Sequence, residues 1–327
     1  MNWLTSLEIV VALAGLMGLA LGWEILQIFG AHVPKVPHTV QMGPLASQAT
    51  QLNAIPKVIW TYWHELPVPS FIQECLDNWQ RFAPDHELRL VHKGNITQWL
   101  ESTTPLDTFE QLPPFRQADW LRLQLLSRHG GIWVDASTWL TQNLNWVHTL
   151  QAEHHSEYVG FYIDRFTTKP AQPIVENWFM AAAAQSPFML ALTQEFNQAL
   201  QLGEATYIEQ LRLTGRLEDI TQALGSQYQL YLIMHVAAAV VLDRRATDYR
   251  LNLIRAEDSA LGFHAALKWR KRHVYARLAL TPSPQHLPYI IKLRGGDRRI
   301  FERGLESGWC YSRSAMAQLL SPSSAAS

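Results

Sequence analysis

Cysteine is scarce in this chain, and its charges nearly balance. The two cysteines, Cys75 and Cys310, cannot build a disulfide framework in a chain of 327 residues. The sequence contains no Cys-x-x-Cys pair and no Cys/His spacing of a zinc site, so a reducing compartment is the simpler interpretation. Lys and Arg total 27 against 28 Asp and Glu. This balance argues against a protein that binds nucleic acid through bulk electrostatics.

The N-terminal segment is apolar and long enough to cross a bilayer. The stretch Ile9–Trp23 carries no charge. A helix from Trp3 to Trp23 would span about 30 Å, which is close to the thickness of a hydrocarbon core. We therefore predict a membrane anchor helix over residues 1–30, with a soluble hydrophobic helix as the alternative. No basic stretch precedes it, which weakens a signal-peptide interpretation. The first basic residue, Lys35, follows the segment, and the positive-inside bias then predicts a cytoplasmic catalytic domain.

Small residues recur along this predicted helix. Ala14, Gly18 and Gly22 are spaced by four residues and therefore share one helix face. Such a face lets two membrane helices pack closely, which makes a homodimer through the N-terminal helix possible. The alternative is that glycine is simply frequent in membrane helices.

The rest of the chain divides into a linker, one dense domain and a tail. Residues 31–54 are rich in Pro, Gly, Ser, Thr and Gln, which predicts a linker. Residues 55–300 alternate strand-like and helix-like patterns, which predicts an α/β domain with a mostly parallel central sheet. Within this domain the run 176–184, ENWFMAAAA, is predicted to be mostly helical. Residues 301–327 are predicted to form a C-terminal tail, which is predicted to be frayed from Ser312 to its end, SPSSAAS.

A single acid follows a predicted buried strand in the segment RHGGIWVDAST, residues 128–138. Ligands of parallel sheets lie beyond the carboxyl ends of the strands, and Asp135 is at such an end. Gly130 and Gly131 allow a tight turn into the strand. No basic residue lies near Asp135 in sequence to compensate it, so this acid is a candidate metal ligand. The alternative is an ordinary strand end.

Two further groups could face the same edge of the sheet. Asp119 and Arg122 are three residues apart on a predicted helix, so they either form an intrahelical ion pair or bind the hydroxyls and phosphate of a ligand. Trp60, Tyr62 and Trp63 end the first predicted strand, with Trp63 on the opposite side from the other two. One of these faces could stack on a nucleobase, although packing is the commoner role of such rings.

A basic cluster follows the segment PYII near the C-terminal end of the domain. It consists of Lys292, Arg294, Arg298 and Arg299. These side chains could close over phosphates, contact anionic lipid headgroups, or form an ordinary solvated face. His235, in the apolar run IMHVAAAVV, is interpreted as a hydrogen-bonded core histidine rather than a ligand.

Four segments, in this order and spacing, carry a family resemblance: IPKVIWTYWHE (55–65), FRQADWLRLQLLSRHGGIWVDAST (115–138), ENWFMAAAAQSPFMLALTQEF (176–196) and LPYIIKL (287–293). They resemble the capsular polysaccharide synthesis protein family, which is similar to glycosyltransferases with an Asp-x-Asp sugar-nucleotide motif. The resemblance covers residues 55 to 293. It implies a GT-A-type nucleotide-diphospho-sugar transferase fold and a hexosyltransferase-like enzyme.

The resemblance also implies roles for individual residues. Asp119 and Arg122 would bind the nucleotide-sugar donor, and Asp135 would hold a divalent cation, Mn²⁺ or Mg²⁺. The sequence departs from the family pattern at Ser137, where a second carboxylate is expected. Mg²⁺ commonly takes only one or two protein carboxylates and completes its shell with phosphates and water. Asp135 with the Ser137 hydroxyl is therefore expected to suffice once a diphosphate is bound.

The remaining implied roles concern the base, the sugar and the reaction. The aromatics at 60–63 would flank the base, and Asn177 and Trp178 would lie near the transferred sugar or the acceptor. Arg122 and the cation would offset the charge that develops on the leaving phosphate, and anomeric configuration would be retained. The general base is unassigned: Asp164 is a candidate, and a surface turn is its alternative role. We expect sugar transfer to a saccharide or lipid-linked acceptor in capsular or cell-surface polysaccharide synthesis, or else a catalytically inactive scaffold subunit of an assembly complex.

Overall fold

The computed structural model describes residues 3–43, 53–100 and 106–320. The strands in these residues are β1 (Thr39–Met42), β2 (Val58–Tyr62), β3 (Glu87–Val91), β4 (Gly131–Val134), β5 (Thr138–Leu140), β6 (Tyr158–Ile163), β7 (Ile174–Ala182), β8 (Leu251–Arg255) and β9 (Ile290–Lys292). The helices are α1 (Trp3–Gly30), α2 (Ser70–Phe82), α3 (Leu106–Gln111), α4 (Pro114–His129), α5 (Asn145–His154), α6 (Pro187–Leu202), α7 (Glu204–Leu213), α8 (Arg216–Thr221), α9 (Ser226–Gln229), α10 (Ile233–Arg245), α11 (Gly262–Ala266), α12 (Lys271–Tyr275), α13 (Gly295–Glu306) and α14 (Ala315–Leu319).

A seven-stranded sheet forms the centre of the domain, in the order β1-β8-β6-β7-β4-β2-β3. Parallel pairs join β3 to β2, β2 to β4 and β6 to β8. Strand β7 runs antiparallel between β4 and β6, and β1 runs antiparallel to β8 at one edge. The other five strands therefore point in one direction. This confirms the prediction of an α/β domain with a mostly parallel sheet, with two antiparallel strands added.

Two glycines connect α4 to the central strand β4. Gly130 has a φ of +64° and Gly131 a φ of +106°. Residues that carry a Cβ rarely adopt such positive φ angles. A Cβ on Gly131 would lie 2.8 Å from the Val58 carbonyl oxygen of the neighbouring strand. Glycine at this position therefore allows β4 to approach β2 closely. All four residues of β4 are buried, as predicted, and Asp135 follows at the carboxyl end.

A second, smaller core lies beside the main sheet and brings distant residues to its edge. Strands β5 and β9 pair antiparallel, with Thr138 opposite Lys292. The Leu293 N–H donates to the Ser137 carbonyl oxygen at 3.0 Å, which extends this pairing. The pairing holds the residues that follow Asp135 directly against the basic cluster near residue 292.

Two predicted segment boundaries need correction. The predicted linker contains β1, because Thr39–Met42 hydrogen-bonds to β8 as an edge strand with alternating exposure. The predicted C-terminal tail contains the second half of α13 and all of α14. Phe301, Met316 and Leu319 are buried in the second core, and the Ser314 hydroxyl accepts from Ala317 N–H to cap α14. In both cases long-range packing orders a segment whose local composition indicates a loop.

The predicted helix over 176–184 is also wrong. Residues Ile174–Ala182 form β7, the central antiparallel strand, and eight of its nine residues are buried. A strand covered on both faces shows no alternation of apolar and polar residues, so periodicity cannot separate it from a buried helix. The alanines Ala181 and Ala182, which favour a helix locally, are instead buried in the main core.

The helix α1 is exposed over the length that is apolar enough to span a membrane. Residues Glu8–Gly30 have a mean hydropathy of 2.1, and no residue in the most apolar part of this segment is buried. A signal sequence has the same properties, so length and composition fit either. Contacts begin at its C-terminal end, where Glu24 pairs with Arg270 at 3.2 Å and Arg277 donates from Nε to the Ala31 carbonyl oxygen at 3.0 Å.

Candidate active site

A cavity of about 700 Å³ lies beyond the carboxyl ends of β2 and β4. Its walls come from the central sheet, from α4 and α10, and from the start of α13. Of the nine site residues predicted from the sequence, eight line it: Tyr62, Trp63, Asp119, Arg122, Asp135, Ser137, Asn177 and Trp178. A volume of this size suits a small organic ligand. The predicted site residues therefore converge on one place, with Trp60 the exception.

Asp135 is bound on both carboxylate oxygens by protein donors. Its Oδ2 accepts from Lys292 Nζ at 2.8 Å, and its Oδ1 accepts from Trp133 Nε1 at 3.0 Å and from Arg122 Nη2 at 3.2 Å. The side chain is 28% exposed. Burial alone would raise the pKa of Asp135, but the nearby Lys292 and Arg122 charges outweigh it and lower the pKa. Asp135 is therefore an ionised acid between two cations.

Ser137 is also engaged by the protein. Its hydroxyl donates to the Leu293 carbonyl oxygen at 2.8 Å, and Lys292 Nζ lies 3.3 Å from the same Oγ. The described residues contain no group of three or more His, Cys, Asp or Glu side chains that could hold a metal ion. In this arrangement a divalent cation would have to displace Lys292 from Asp135. The divalent cation remains a prediction, and these contacts disfavour it.

Asp119 and Arg122 form the predicted intrahelical ion pair, at 3.4 Å, and also belong to the cavity wall. Asp119 is buried; it accepts from Arg116 Nη1 at 2.6 Å and from Asn177 Nδ2 at 3.0 Å. Burial raises the pKa of Asp119, and the Arg122 and Arg116 guanidinium groups act against that rise. Arg122 donates to the Asn177 carbonyl oxygen and lies over the Trp133 ring, 4.9 Å from its centroid. Asp119 therefore orients Arg122 and Asn177 toward the cavity.

The aromatic residues at the end of β2 divide between core and cavity. Trp60 is fully buried, donates from Nε1 to the Gly130 carbonyl oxygen at 2.9 Å and packs edge-on against Trp99. Its predicted role beside a base is therefore corrected to core packing. Tyr62 lines the cavity, but its hydroxyl donates to Gln117 Oε1 at 2.6 Å and fixes the ring. Trp63 lines the cavity next to Arg298, whose guanidinium lies 5.3 Å from the ring centroid.

Asn177 and Trp178 reach the cavity from β7. The Asn177 side chain is half-buried and held by Asp119. Trp178 is 5% exposed, and its ring stacks on Phe161 with centroids 4.8 Å apart. Its carbonyl oxygen accepts from Asp135 N–H at 2.8 Å, which fixes the strand end that carries the acid. Both residues line the cavity, and Trp178 is mainly a packing residue; their place near a sugar or an acceptor stays a prediction.

Several cavity residues are not among the nine site residues predicted from the sequence. The basic cluster divides: Lys292, Arg294 and Arg298 line the cavity, whereas Arg299 is exposed and lies outside it. Arg165, from the segment after β6, adds a fourth cation to the cavity wall. Its guanidinium lies 4.4 Å from the centroid of the Trp269 ring. Of these residues, only the cluster near residue 292 was noticed in the sequence, where contact with phosphates was one of three interpretations.

A buried acid–imidazole pair also lines the cavity. His235 Nε2 lies 3.1 Å from Glu176 Oε2, and both side chains are more than nine-tenths buried. His235 is therefore a hydrogen-bonded core histidine, as predicted, but it is also part of the cavity wall. Glu176 could have been found from its position two residues before Trp178, had the segment been predicted as a strand. Asp164 is exposed and pairs with Arg255, in agreement with its alternative role in a surface turn.

The charges around the cavity favour an anionic ligand. Among the described lining residues, the cations are Arg122, Arg165, Lys292, Arg294 and Arg298, and the acids are Asp119, Asp135 and Glu176. Cations therefore outnumber acids by five to three. A cationic wall with an aromatic ring beside it suits a ligand that carries both phosphates and a flat group.

Comparisons with known proteins support one of the sequence predictions directly. Residues 41–202, just under half of the chain, match the model of the capsular polysaccharide synthesis protein family. The resemblance predicted from the sequence is thereby confirmed over these residues, which include Asp119, Arg122 and Asp135. The matched region ends before Lys292.

Individual relatives are more distant. The chain is 28% identical over 150 residues to the O-glycosyltransferase braB of Annulohypoxylon truncatum. That match covers 41% of this chain and 35% of the relative, so the chain spans about a third of the length of this curated relative. Among solved structures, the PaToxG glycosyltransferase aligns with 57% of this chain and 79% of its own, at 16% identity and a TM-score of 0.32.

Proposed function

We propose, starting from the match of residues 41–202 to the capsular polysaccharide synthesis family, that this protein is a glycosyltransferase. It transfers a sugar from a nucleotide-diphosphate donor to a saccharide or lipid-linked acceptor in the synthesis of a capsular or cell-surface polysaccharide. The observation that carries the proposal is the cavity at the sheet edge. It combines Trp63 with Arg122, Lys292 and Arg298, and so offers an aromatic face and cations in one place.

The donor is proposed to lie along the carboxyl ends of β2 and β4, as in a GT-A-type fold. Its base would face Trp63, and its diphosphate would face Arg122 and the cations near residue 292. Its sugar would lie toward Asn177 and Trp178. A guanidinium on a fixed helix binds phosphate oxygens in a defined direction. Asp119 would hold Arg122 in place rather than contact the donor.

The chemistry follows from where charge develops. The bond between the anomeric carbon and the diphosphate oxygen breaks, and its electron pair stays on the diphosphate. Arg122 offsets this charge without reorganising, because its position is already fixed. The oxygen of an acceptor hydroxyl forms the new bond to the anomeric carbon, on the face that retains configuration, and loses its proton. We assign that proton to Glu176, which lines the cavity and is oriented by His235.

The location of the enzyme is part of the proposal. Helix α1 would anchor the chain in the membrane and leave the catalytic domain in the cytoplasm, where nucleotide sugars are made available to lipid-linked acceptors. Ala14, Gly18 and Gly22 would form a pairing face if the chain dimerises through this helix. The end of α1 contacts the domain through Glu24 and Arg270, which would hold the cavity at a fixed height above the bilayer.

The test measures nucleotide released from a panel of nucleotide sugars by the full-length chain in detergent micelles, with and without lipid-linked acceptors. Arg298→Met should weaken donor binding about tenfold, because it removes a charged hydrogen-bond donor from the cavity. Arg299→Met is the matched control, since this residue lies on the same helix but is exposed outside the cavity.

The outcomes separate the alternatives. Acceptor-dependent release that falls in Arg298→Met and not in Arg299→Met supports the proposal. A folded wild-type chain that binds donors but transfers no sugar would instead fit the scaffold subunit. Equal donor binding by both variants and the wild type would refute the assignment of the cavity.

A further inference from the structure

The position beside Asp135 that a divalent cation is expected to occupy already holds a protein cation. We propose that Lys292 takes the place of the divalent cation, so that the donor's diphosphate binds to Lys292, Arg294 and Arg298 directly and without metal. This inference rests on the proposed function, because it concerns the same cavity and the same donor. It changes the class of the enzyme from metal-dependent to metal-independent.

Backbone pairing fixes Lys292 at this position. Lys292 is the last residue of β9 and lies opposite Thr138 of β5, and the Leu293 N–H continues the ladder to the Ser137 carbonyl oxygen. Lys292 is only 7% exposed. Its Nζ lies 2.8 Å from Asp135 Oδ2 and 3.3 Å from Ser137 Oγ. The ammonium group therefore contacts the two groups expected to ligate the metal.

The local charge is unfavourable for a second, divalent ion. Asp135 contributes one negative charge, while Lys292 and Arg122 contribute two positive charges within 3.2 Å of its oxygens. The Ser137 hydroxyl uses its hydrogen on the Leu293 carbonyl oxygen. Hard cations such as Mg²⁺ bind where carboxylate charge is in excess. Here no carboxylate charge is in excess, because Arg122 and Lys292 balance Asp119 and Asp135, and the cavity as a whole has five cations to three acids, which suits a diphosphate instead.

The same lysine keeps a donor for the ligand. An ammonium group has three N–H donors, and the described contacts of Lys292 use two of them, to Asp135 and Ser137. Arg294 and Arg298 line the cavity beside it, at the start of α13. Arg294 is held by Asp297, which accepts from its Nε at 2.8 Å, so this guanidinium is oriented in advance. A fixed lysine that lines the same cavity as two arginines can neutralise a leaving diphosphate as it develops charge.

The experiment measures the binding of UDP, GDP and ADP to the full-length chain in detergent micelles by calorimetry, once with EDTA and once with excess Mn²⁺. The wild type should bind its preferred nucleoside diphosphate equally well in both buffers. Lys292→Met should bind it about tenfold or more weakly in EDTA, because a charged hydrogen bond to phosphate is lost. Mn²⁺ should restore part of that loss, since Asp135 is then released from the lysine. Arg299→Met, the exposed neighbour, should match the wild type.

Each result supports or overturns the inference. Wild-type binding that requires Mn²⁺ and disappears in EDTA overturns it while leaving the proposed function standing. Unchanged EDTA binding by a folded Lys292→Met variant also overturns it. If no nucleoside diphosphate binds in either buffer, the nucleotide-sugar donor itself fails and the inference fails with it. The wild-type comparison needs no substitution, so the test holds even if the variant does not fold.

Discussion

The pair formed by Asp135 and Lys292 predicts how the protein responds when either charge is removed. The perturbation is a double-mutant cycle of Asp135→Asn, Lys292→Met and the combination. Asp135→Asn leaves Lys292 and Arg122, both largely buried, beside a neutral amide. Lys292→Met leaves Asp135 still paired with Arg122 at 3.2 Å. The first substitution should therefore cost more folding free energy than the second.

The magnitude follows from distance and burial. At 2.8 Å two unit charges attract by about 6 kcal/mol if the effective dielectric constant is about 20. Desolvation offsets much of this, and removal of one partner of a buried pair costs about 3–5 kcal/mol. Because Asp135 is more than a quarter exposed, we expect about 3 kcal/mol for Asp135→Asn and about 1–2 kcal/mol for Lys292→Met. The coupling energy should be about 1.5 kcal/mol or more.

The assay is urea unfolding of the full-length chain in detergent, followed by tryptophan fluorescence and circular dichroism. The control cycle uses Lys57→Met and Asp85→Asn. That pair has a shorter contact, 2.6 Å, but its side chains are 50% and 38% exposed, so its coupling should stay below about 1 kcal/mol. If the coupling of the cavity pair is no larger than that of the surface pair, the reasoning about a buried, preorganised charge pair is refuted.

Other expectations follow from single residues. Burial raises the pKa of Glu157 from 4.5 to about 7. Its contribution to stability is therefore complete below pH 4.5 and is lost as the pH rises through 7. Glu157→Gln should gain up to about 3 kcal/mol over the wild type above that pH, measured by urea unfolding on both sides of the window, and an equal difference on both sides would contradict this. Glu176→Gln should lower kcat about a hundredfold with little change in KM, whereas a rise in KM alone would argue against its role as proton acceptor. Trp63→Ala should weaken nucleotide binding about tenfold in calorimetry with little loss of stability, whereas Trp60→Ala should cost about 3–5 kcal/mol of folding free energy; the reverse pattern would contradict the division between cavity and core.

The parts of the fold and site that the sequence predicts are those set by neighbours in the chain. Arg128 and His129 at a helix end, then Gly130 and Gly131, predict a helix, a tight turn and a buried strand. The structure has this order, with Asp135 at the strand end. The three-residue spacing of Asp119 and Arg122 predicts a shared helix face, and the two side chains are in contact. Local periodicity and turn chemistry are enough for such features.

The parts that the sequence does not predict depend on strand pairing over long distances. Asp135 appears uncompensated in sequence because the nearest cations are on other elements, and Lys292 is 157 residues away. Thr39–Met42 becomes a strand only because β8 offers it an edge. The run after Glu176 becomes a strand because β4 and β6 flank it. None of these pairings leaves a mark in composition or periodicity.

The missing second acid and the buried lysine can be explained as one feature. The side chain at 137 points its Oγ at the Leu293 carbonyl oxygen, 2.8 Å away, and must therefore donate a hydrogen bond. A hydroxyl can donate, whereas an ionised carboxylate can only accept and would be repelled by that carbonyl. The pairing that brings Leu293 to this position also brings Lys292 to Asp135. The strand that supplies a cation to the site thus favours serine over a second carboxylate at 137, and the departure from the acid pair follows from how β9 packs beside β5.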